Sequence, residues 1–277
     1  MNNLSSHLTG HFVTTMARDE LNLLYQRRFR WSQGRQVDTD AKLVHIACDN
    51  SLKKAGLKLS KCDTSRVAVV MGTSYGGLES YENFQDSMAI NDRQPLAFAN
   101  AIPGIPTTIP SLYYGITGPV MTLSGEAFVG SQALYQAIYM LENGICDIAL
   151  TGAWYVPSST SLRHSSVEKI GAAVMVLETA NRVSERSSVH FRVISATMKR
   201  ELLVKAVKDI QTPVVVIADN EQIIPVSSAP IHDVPGVGIL GAVLEAVKIV
   251  ESVGSAHIHI TVGKQTLSLW LQVVANK

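Results

Sequence analysis

The sequence has little of what marks a secreted, membrane-spanning or nucleic-acid-binding protein. Its 277 residues include three cysteines, Cys48, Cys62 and Cys146. They form no CxxC pair and no metal-ligand spacing, so the expectation is reduced thiols in a cytoplasmic protein with no metal site. No apolar run approaches the ~18 residues that a transmembrane helix needs. The start, Met1-Asn2-Asn3-Leu4-Ser5-Ser6-His7, has no basic stretch followed by an apolar one, so no signal peptide is expected. The net charge is only +1. That balance gives no reason to expect nucleic acid or an anionic membrane as the main partner. No low-complexity segment or Gly/Ser linker interrupts the chain, which points to one compact unit.

What is present is enough apolar residue, 46% of the chain, to bury a sizeable core. Asp38 or Thr39 can cap a helix reaching about Lys54, with Gly56 suited to its end. Val67-Ala68-Val69-Val70-Met71 is β-branched and reads as a buried strand. It runs into Gly72-Thr73-Ser74-Tyr75-Gly76-Gly77 and then a helix from Leu78 to Met88. Residues 103–110 read as a proline-rich connection, because proline removes donors and constrains its predecessor. Residues 147–152 and 171–178 are further strands around a polar loop, 157–166. A helix over 199–208, a strand over 213–218, a helix from Ile239 to about Val253 and a closing hairpin (257–262 and 266–273) complete the order. Buried strands alternating with amphipathic helices imply an α/β protein with largely parallel central sheets. Residues 1–38 are weakly patterned. Their aromatic-basic stretch, Tyr25 to Trp31, is either a docking patch or a solvated face with its aromatics tucked into the core.

The most informative stretch is Gly118 to Leu134. Val120-Met121-Thr122-Leu123 suits a short buried strand, and Ser124-Gly125 breaks it. From Ala127 to Glu142 the apolar residues Ala133, Leu134, Ala137, Ile138 and Leu141 fall on one helical face, and Asn143-Gly144 stops the helix. Strand, sharp turn and helix form an elbow that presents one residue at a helix N-terminus. Such a position favours a nucleophile, because the dipole and free N–H groups stabilise a thiolate or oxyanion. Here the residue is Ala127. Ser124 and Ser131 flank the elbow without occupying its tip.

In order along the chain, residues 47–57, Gly72 to Glu79, Gly115 to Pro119, Cys146 to Gly152 and Gly171 to Glu178, with the elbow, resemble the β-ketoacyl synthases. The resemblance implies a thiolase-like α/β fold: two related βαβ halves, 1–178 and 179–277, in a layered αβαβα sandwich, shortened relative to the family. The active cysteine of the condensing enzymes would stand at Ala127. Their two histidines would stand near Asp219, which follows strand 213–218, and near Gly236, where the helix begins. A methyl group can neither attack a thioester nor carry an acyl chain. Glu126 and Gly130 fit the Glu-Gln-Ala-Gly-Gly elbow of the chain-length factors, the β subunits of type II polyketide ketosynthases, with Ala127 in place of glutamine. The resemblance therefore implies a catalytically silent subunit with no cofactor of its own. Its substrate would ride on the phosphopantetheine of an acyl carrier protein, and its partner would be a cysteine-bearing ketosynthase in a heterodimer. Val120, Met121, Thr122 and Leu123 would form the contact strand. Tyr81, Phe84 and Met88 would limit chain length at the acyl tunnel, and Phe128 would plug the vacant pocket; each is equally suited to plain core packing.

Two other classes stay open. One is a malonyl-thioester decarboxylase or divergent acyltransferase using Glu126 or His232, and the other a free-standing acyl-binding scaffold. Gly236-Val237-Gly238-Ile239-Leu240-Gly241 matches a dinucleotide-binding pattern, but the preceding segment is a poor first strand for that fold. His257 and His259 alternate on one strand without a third metal ligand. Lys199, Arg200, Lys205 and Lys208 suit either an acidic carrier protein or a solvated helix face.

Overall fold

Ten strands hydrogen-bond into one mixed sheet in a computed structural model that describes residues 6–30, 37–126, 128–183, 190–199, 214–218, 223–225, 237–253, 255–262 and 265–274. The strands are β1 (Ser6–Met16), β2 (Val67–Thr73), β3 (Val120–Ser124), β4 (Ile148–Tyr155), β5 (Ile170–Thr179), β6 (His190–Lys199), β7 (Val214–Ala218), β8 (Ile223–Pro225), β9 (Ser255–Val262) and β10 (Gln265–Val274). Their order across the sheet is β3-β2-β4-β5-β1-β6-β10-β9-β7-β8. The first five strands thus appear as 3-2-4-5-1, and the second five repeat that arrangement in reverse around the β1–β6 seam. The expectation of largely parallel sheets is corrected. Only β2–β3 and β2–β4 are parallel, and every other described pairing is antiparallel. The polar loop after β4 is short enough to turn the chain straight back into β5, which reverses direction.

β2, β4 and β5 are buried along their whole lengths. Alternate residues enter two cores, as the two-residue period of a strand requires. On one side, Val67, Val69, Met71, Ile148, Leu150, Val174 and Val176 pack under α1 (Arg18–Arg28) and α2 (Thr39–Lys54). On the other, Ala68, Val70, Ala149, Ala153, Ala173 and Met175 pack under α6 (Val129–Glu142). The same second core takes in Leu240, Val243, Leu244 and Val247 of α8 (Gly238–Val253), and beyond them Ile258, Leu269 and Leu271 of β9 and β10. Helix, sheet, helix and sheet are therefore layered in turn, with α6 and α8 between the two half-sheets. The Lys199–Lys208 helix expected from sequence falls mostly on 200–213, outside the described residues; Lys199 itself ends β6.

Three other expectations change. The weakly patterned N-terminus contains β1, at the centre of the sheet. Its alternation is hidden by Gly10 and by a register shift between Leu8 and Gly10. Gly10 is needed because a Cβ there would lie 2.5 Å from the Ser51 carbonyl oxygen of α2. The proline-rich connection contains helix α5 (Ile105–Tyr114). Pro106 stands in its first turn, where no N–H is required. Pro110 lies inside, and Gly115 closes the helix in the left-handed region at φ 65°. Finally, β3 is an edge strand and not a buried one: among the described residues it pairs only with β2, and Val120 is 41% exposed.

In the Tyr25–Trp31 stretch, Tyr25 and Phe29 favour packing, while Trp31 lies outside the described residues. Both rings are buried with His45, which stacks on Phe29 at 3.9 Å and meets Tyr113 edge-on at 4.5 Å. Tyr25 Oη lies 3.1 Å from His45 Nδ1. Burial, aided by Arg28 and opposed by Asp49, pulls the imidazole down to about 4 from its usual 6.5. The unfolded ring accepts a proton near pH 6.5 and the folded ring only near pH 4, so stability falls as pH drops through that window. Urea denaturation of His45→Phe should show a flatter dependence on pH across it. An unchanged slope would mean that His45 does not govern the acid response.

Candidate functional site

The elbow is built by one close approach. β2 passes so near the start of α6 that a Cβ on Gly72 would sit 2.7 Å from the Val129 carbonyl oxygen and 2.9 Å from its carbon. Gly125, just past β3, donates its N–H to the Thr73 carbonyl at 3.1 Å, tying the exit of β3 to the exit of β2. Val129 N–H then donates to the Glu126 carbonyl at 2.9 Å, closing the turn that opens α6. Glu126 is exposed. Phe128 is 3% exposed and belongs to the core shared with Leu134, Ile138 and α8. Ala127, between them, lies outside the described residues, as do Asp219, His232 and Gly236.

The chemistry that the flanking side chains can perform is narrow. Ser124 is exposed at the end of β3, while Ser131 is fully buried in the first turn of α6. None of the three free cysteines lies on the elbow. Burial pushes the Cys48 thiol far up, and burial, opposed by Arg66 and aided by Asp147, pushes Cys146 up to about 12. Both thiols are held protonated and are poor nucleophiles. Among the described residues no group of three His, Cys, Asp or Glu is placed to share a metal ion. None of their helices is long and apolar enough to cross a membrane.

The remaining candidates separate into two places. Phe128 sits in the inner core. Tyr81, Phe84 and Met88 share one face of α3 (Leu78–Ala89), where Tyr81 is 44% and Met88 51% exposed. Phe84 is half-buried, with its ring 5.1 Å from that of Phe98 on α4 (Pro95–Asn100). α3 starts from Gly77, whose φ of 78° only glycine adopts freely, and a Cβ there would lie 2.3 Å from the Ala101 carbonyl oxygen. Val120, Met121, Thr122 and Leu123 run along the open edge of the sheet. Thr122 Oγ1–H donates to Thr107 Oγ1 of α5 at 2.6 Å, which holds the edge strand against that helix. The stretch from α3 to β3 also exposes Ile90, Leu96, Phe98, Ile102 and Leu112. Sequence reasoning missed this apolar exposure. The signal for it was α3 itself, whose apolar residues have no apolar counterpart on the helix's other face.

This elbow on this sheet order defines a β-ketoacyl synthase fold, and the chain belongs to that family: residues 11–181 match its N-terminal domain. Nodulation protein E of Rhizobium leguminosarum bv. trifolii is 24% identical over 124 residues, 44% of this chain and 31% of that protein. The chain thus spans less than a third of that relative's length in the match. Among solved structures, one is similar over 98% of this chain and all of its own, at 17% identity and a TM-score of 0.75. It is a type II PKS acyl-carrier protein in complex with its ketosynthase bound to the hexaketide. The ishigamide ketosynthase/chain length factor matches over the same 98% at 15% identity and a TM-score of 0.71.

The tightness at Gly72 makes a prediction about the elbow. Gly72→Ala should destabilise the protein by about 1–3 kcal/mol, since a backbone must move to admit the methyl group. Gly125→Ala should be tolerated, because its Cβ would meet only ordinary contacts at 3.5 Å. Thermal unfolding of the two variants checks the contrast, and equal melting temperatures would contradict it.

Proposed function

We propose that this chain is a non-condensing ketosynthase-like subunit, a chain-length factor, that pairs with an active ketosynthase of a type II polyketide synthase and helps set the length of the product. The observation that carries this reading is the elbow. Its frame is kept by the Gly72 approach and the Thr73–Gly125 bond, yet the residue at its tip is Ala127, and Asp219 and Gly236 stand where histidines would be expected. A methyl group cannot form the acyl-enzyme on which condensation depends. The chemistry then belongs to a partner with a cysteine, and the growing chain arrives on the phosphopantetheine of an acyl carrier protein.

Exposure supports a place for this partner. β3 offers a free row of backbone donors and acceptors, and such an edge is covered in stable proteins. Beside it lies the apolar stretch from α3 to α5, and exposed apolar patches of this kind mark protein contacts. With a ketosynthase docked along this edge, Tyr81, Phe84 and Met88 would reach the end of its acyl tunnel.

Co-expression with a cysteine-bearing ketosynthase encoded beside this chain should give a 1:1 complex that survives size-exclusion chromatography. Failure to co-purify, with the synthase alone making the same product, would overturn the reading. A stable homodimer with no synthase partner would favour the free-standing scaffold instead. Within the complex, Phe84→Ala should shift the product to longer chains in mass spectrometry. Ala127→Cys in the isolated chain should still condense no acyl groups, because a thiolate alone lacks the histidines that assist decarboxylation of the extender. Condensation by that variant would refute the assignment.

A further inference from the structure

Helix α3 differs from the other long helices in what it buries. α2 and α6 each sink a face of apolar residues. The only buried residues of α3 are Ser80 and Ser87. Its seat on the rest of the molecule is therefore largely polar. Ser80 Oγ–H donates to Asp38 at 2.8 Å. Arg18 of α1 pairs with Glu79 and donates to the Pro157 carbonyl at 2.6 Å. The Glu82 carboxylate accepts the N–H groups of Ser159 and Thr160, both at 2.8 Å.

Three carboxylates converge at this seat. Asp40 is buried, and Trp154 Nε1–H of β4 donates to it at 2.6 Å. Asp38, the N-cap of α2, accepts the Ala41 N–H at 2.9 Å. Glu79 comes from α3. Facing them are Arg18 from α1, which is engaged by Glu79, and Lys42 from α2, which faces Asp38. Burial foremost, then the charges of Asp38 and Glu79, raise Asp40 to about 8 against the pull of the Trp154 and Gly77 N–H groups. Burial raises Asp38 too, although its hydrogen bonds from Ala41 and Ser80 and the charge of Lys42 oppose the rise. A cleft of about 570 Å³ opens beside Asp38, lined also by Ser80, Asn83, Asp86 and Gln94. It opens Asp38 to water, while Asp40 stays buried behind it.

We propose that α3 is seated while the buried Asp40 carboxyl, beside Asp38 and the start of α3, keeps its proton, and that loss of that proton unseats the helix. With the proton in place, one carboxyl of the pair is neutral, and Arg18 balances Glu79. Once it leaves, three negative charges face two cations, Arg18 and Lys42, and one of the three is fully desolvated. The polar contacts of Ser80 and Glu79 are the ones that loosen, because no buried apolar face holds α3 down. The helix then pivots on Gly76-Gly77 and carries Tyr81, Phe84 and Met88 with it. Asp40 is thus a positioning residue for that face, and the device belongs to this chain whether or not it serves a ketosynthase.

The folded state binds more protons than the unfolded one between the ordinary Asp value of 3.8 and about 8. Seating is therefore strongest at low pH and is lost as pH rises through about 8. The test is amide hydrogen exchange of residues 78–89 in the isolated chain from pH 6.5 to 9.5, expressed as protection factors to remove the intrinsic pH dependence. Protection in the wild type should fall at least about tenfold between pH 6.5 and about 8 and level off above that. In Asp40→Asn it should stay flat. A flat wild-type profile, or an equal fall in Asp40→Asn, overturns the proposal. Should Asp40→Asn fail to fold, Glu79→Gln decides. Removing that charge must move the levelling-off to lower pH, and an unmoved levelling-off overturns the proposal equally. Since no partner is present, these outcomes are separate from the fate of the chain-length reading.

Discussion

The contact between Gly72 and the first turn of α6 is the constraint on which the rest of this molecule depends. Only a residue without a Cβ lets β2 come that close to the Val129 carbonyl. The approach places α6 flat on the sheet, and α6 in turn supplies the surface on which α8 and the second half-sheet rest. Thr73 and Gly125 brace the same point from the other side, one carbonyl taking one N–H. A frame of this rigidity is usual around a reacting group. Here the residue between Glu126 and Phe128 is Ala127, whose methyl group cannot act as a nucleophile.

Much of the first half was legible because its signals are local. Asp38 as a cap, Gly56 and Gly144 in the left-handed region, and the β-branched run of β2 each act within a few residues. What escaped depended on distant neighbours. β1 carries few residues that demand a strand, and becomes one because β5 and β6 flank it. Pro106 and Pro110 argued against a helix, yet the first needs no donor where it stands, and α5 buries Pro110, Thr107 and Ser111 against its surroundings. An apolar run alone could not say that β3 lies on an edge, since that depends on which strand is absent beside it.

The candidate site divides in the same way. The elbow could be placed from its glycines and the helix after it. The condition of α3 could not, because its sequence resembles an ordinary amphipathic helix. Only the structure sets its apolar face toward solvent and its serines and acids toward the protein. That inversion makes the helix an adjustable part in an otherwise well-packed half, since charges near a proton exchange more readily than buried methyl groups repack.

The open edge at β3 has a consequence for the cell that makes this chain. Its residues Val120 to Leu123 include no lysine, no proline and no charge, so no side chain of the strand itself guards against edge-to-edge growth. A copy synthesised without a cover offers every other copy a template for open-ended β assembly. Shielding of that edge therefore bears on solubility, and chain left unshielded is a burden for chaperones and proteases.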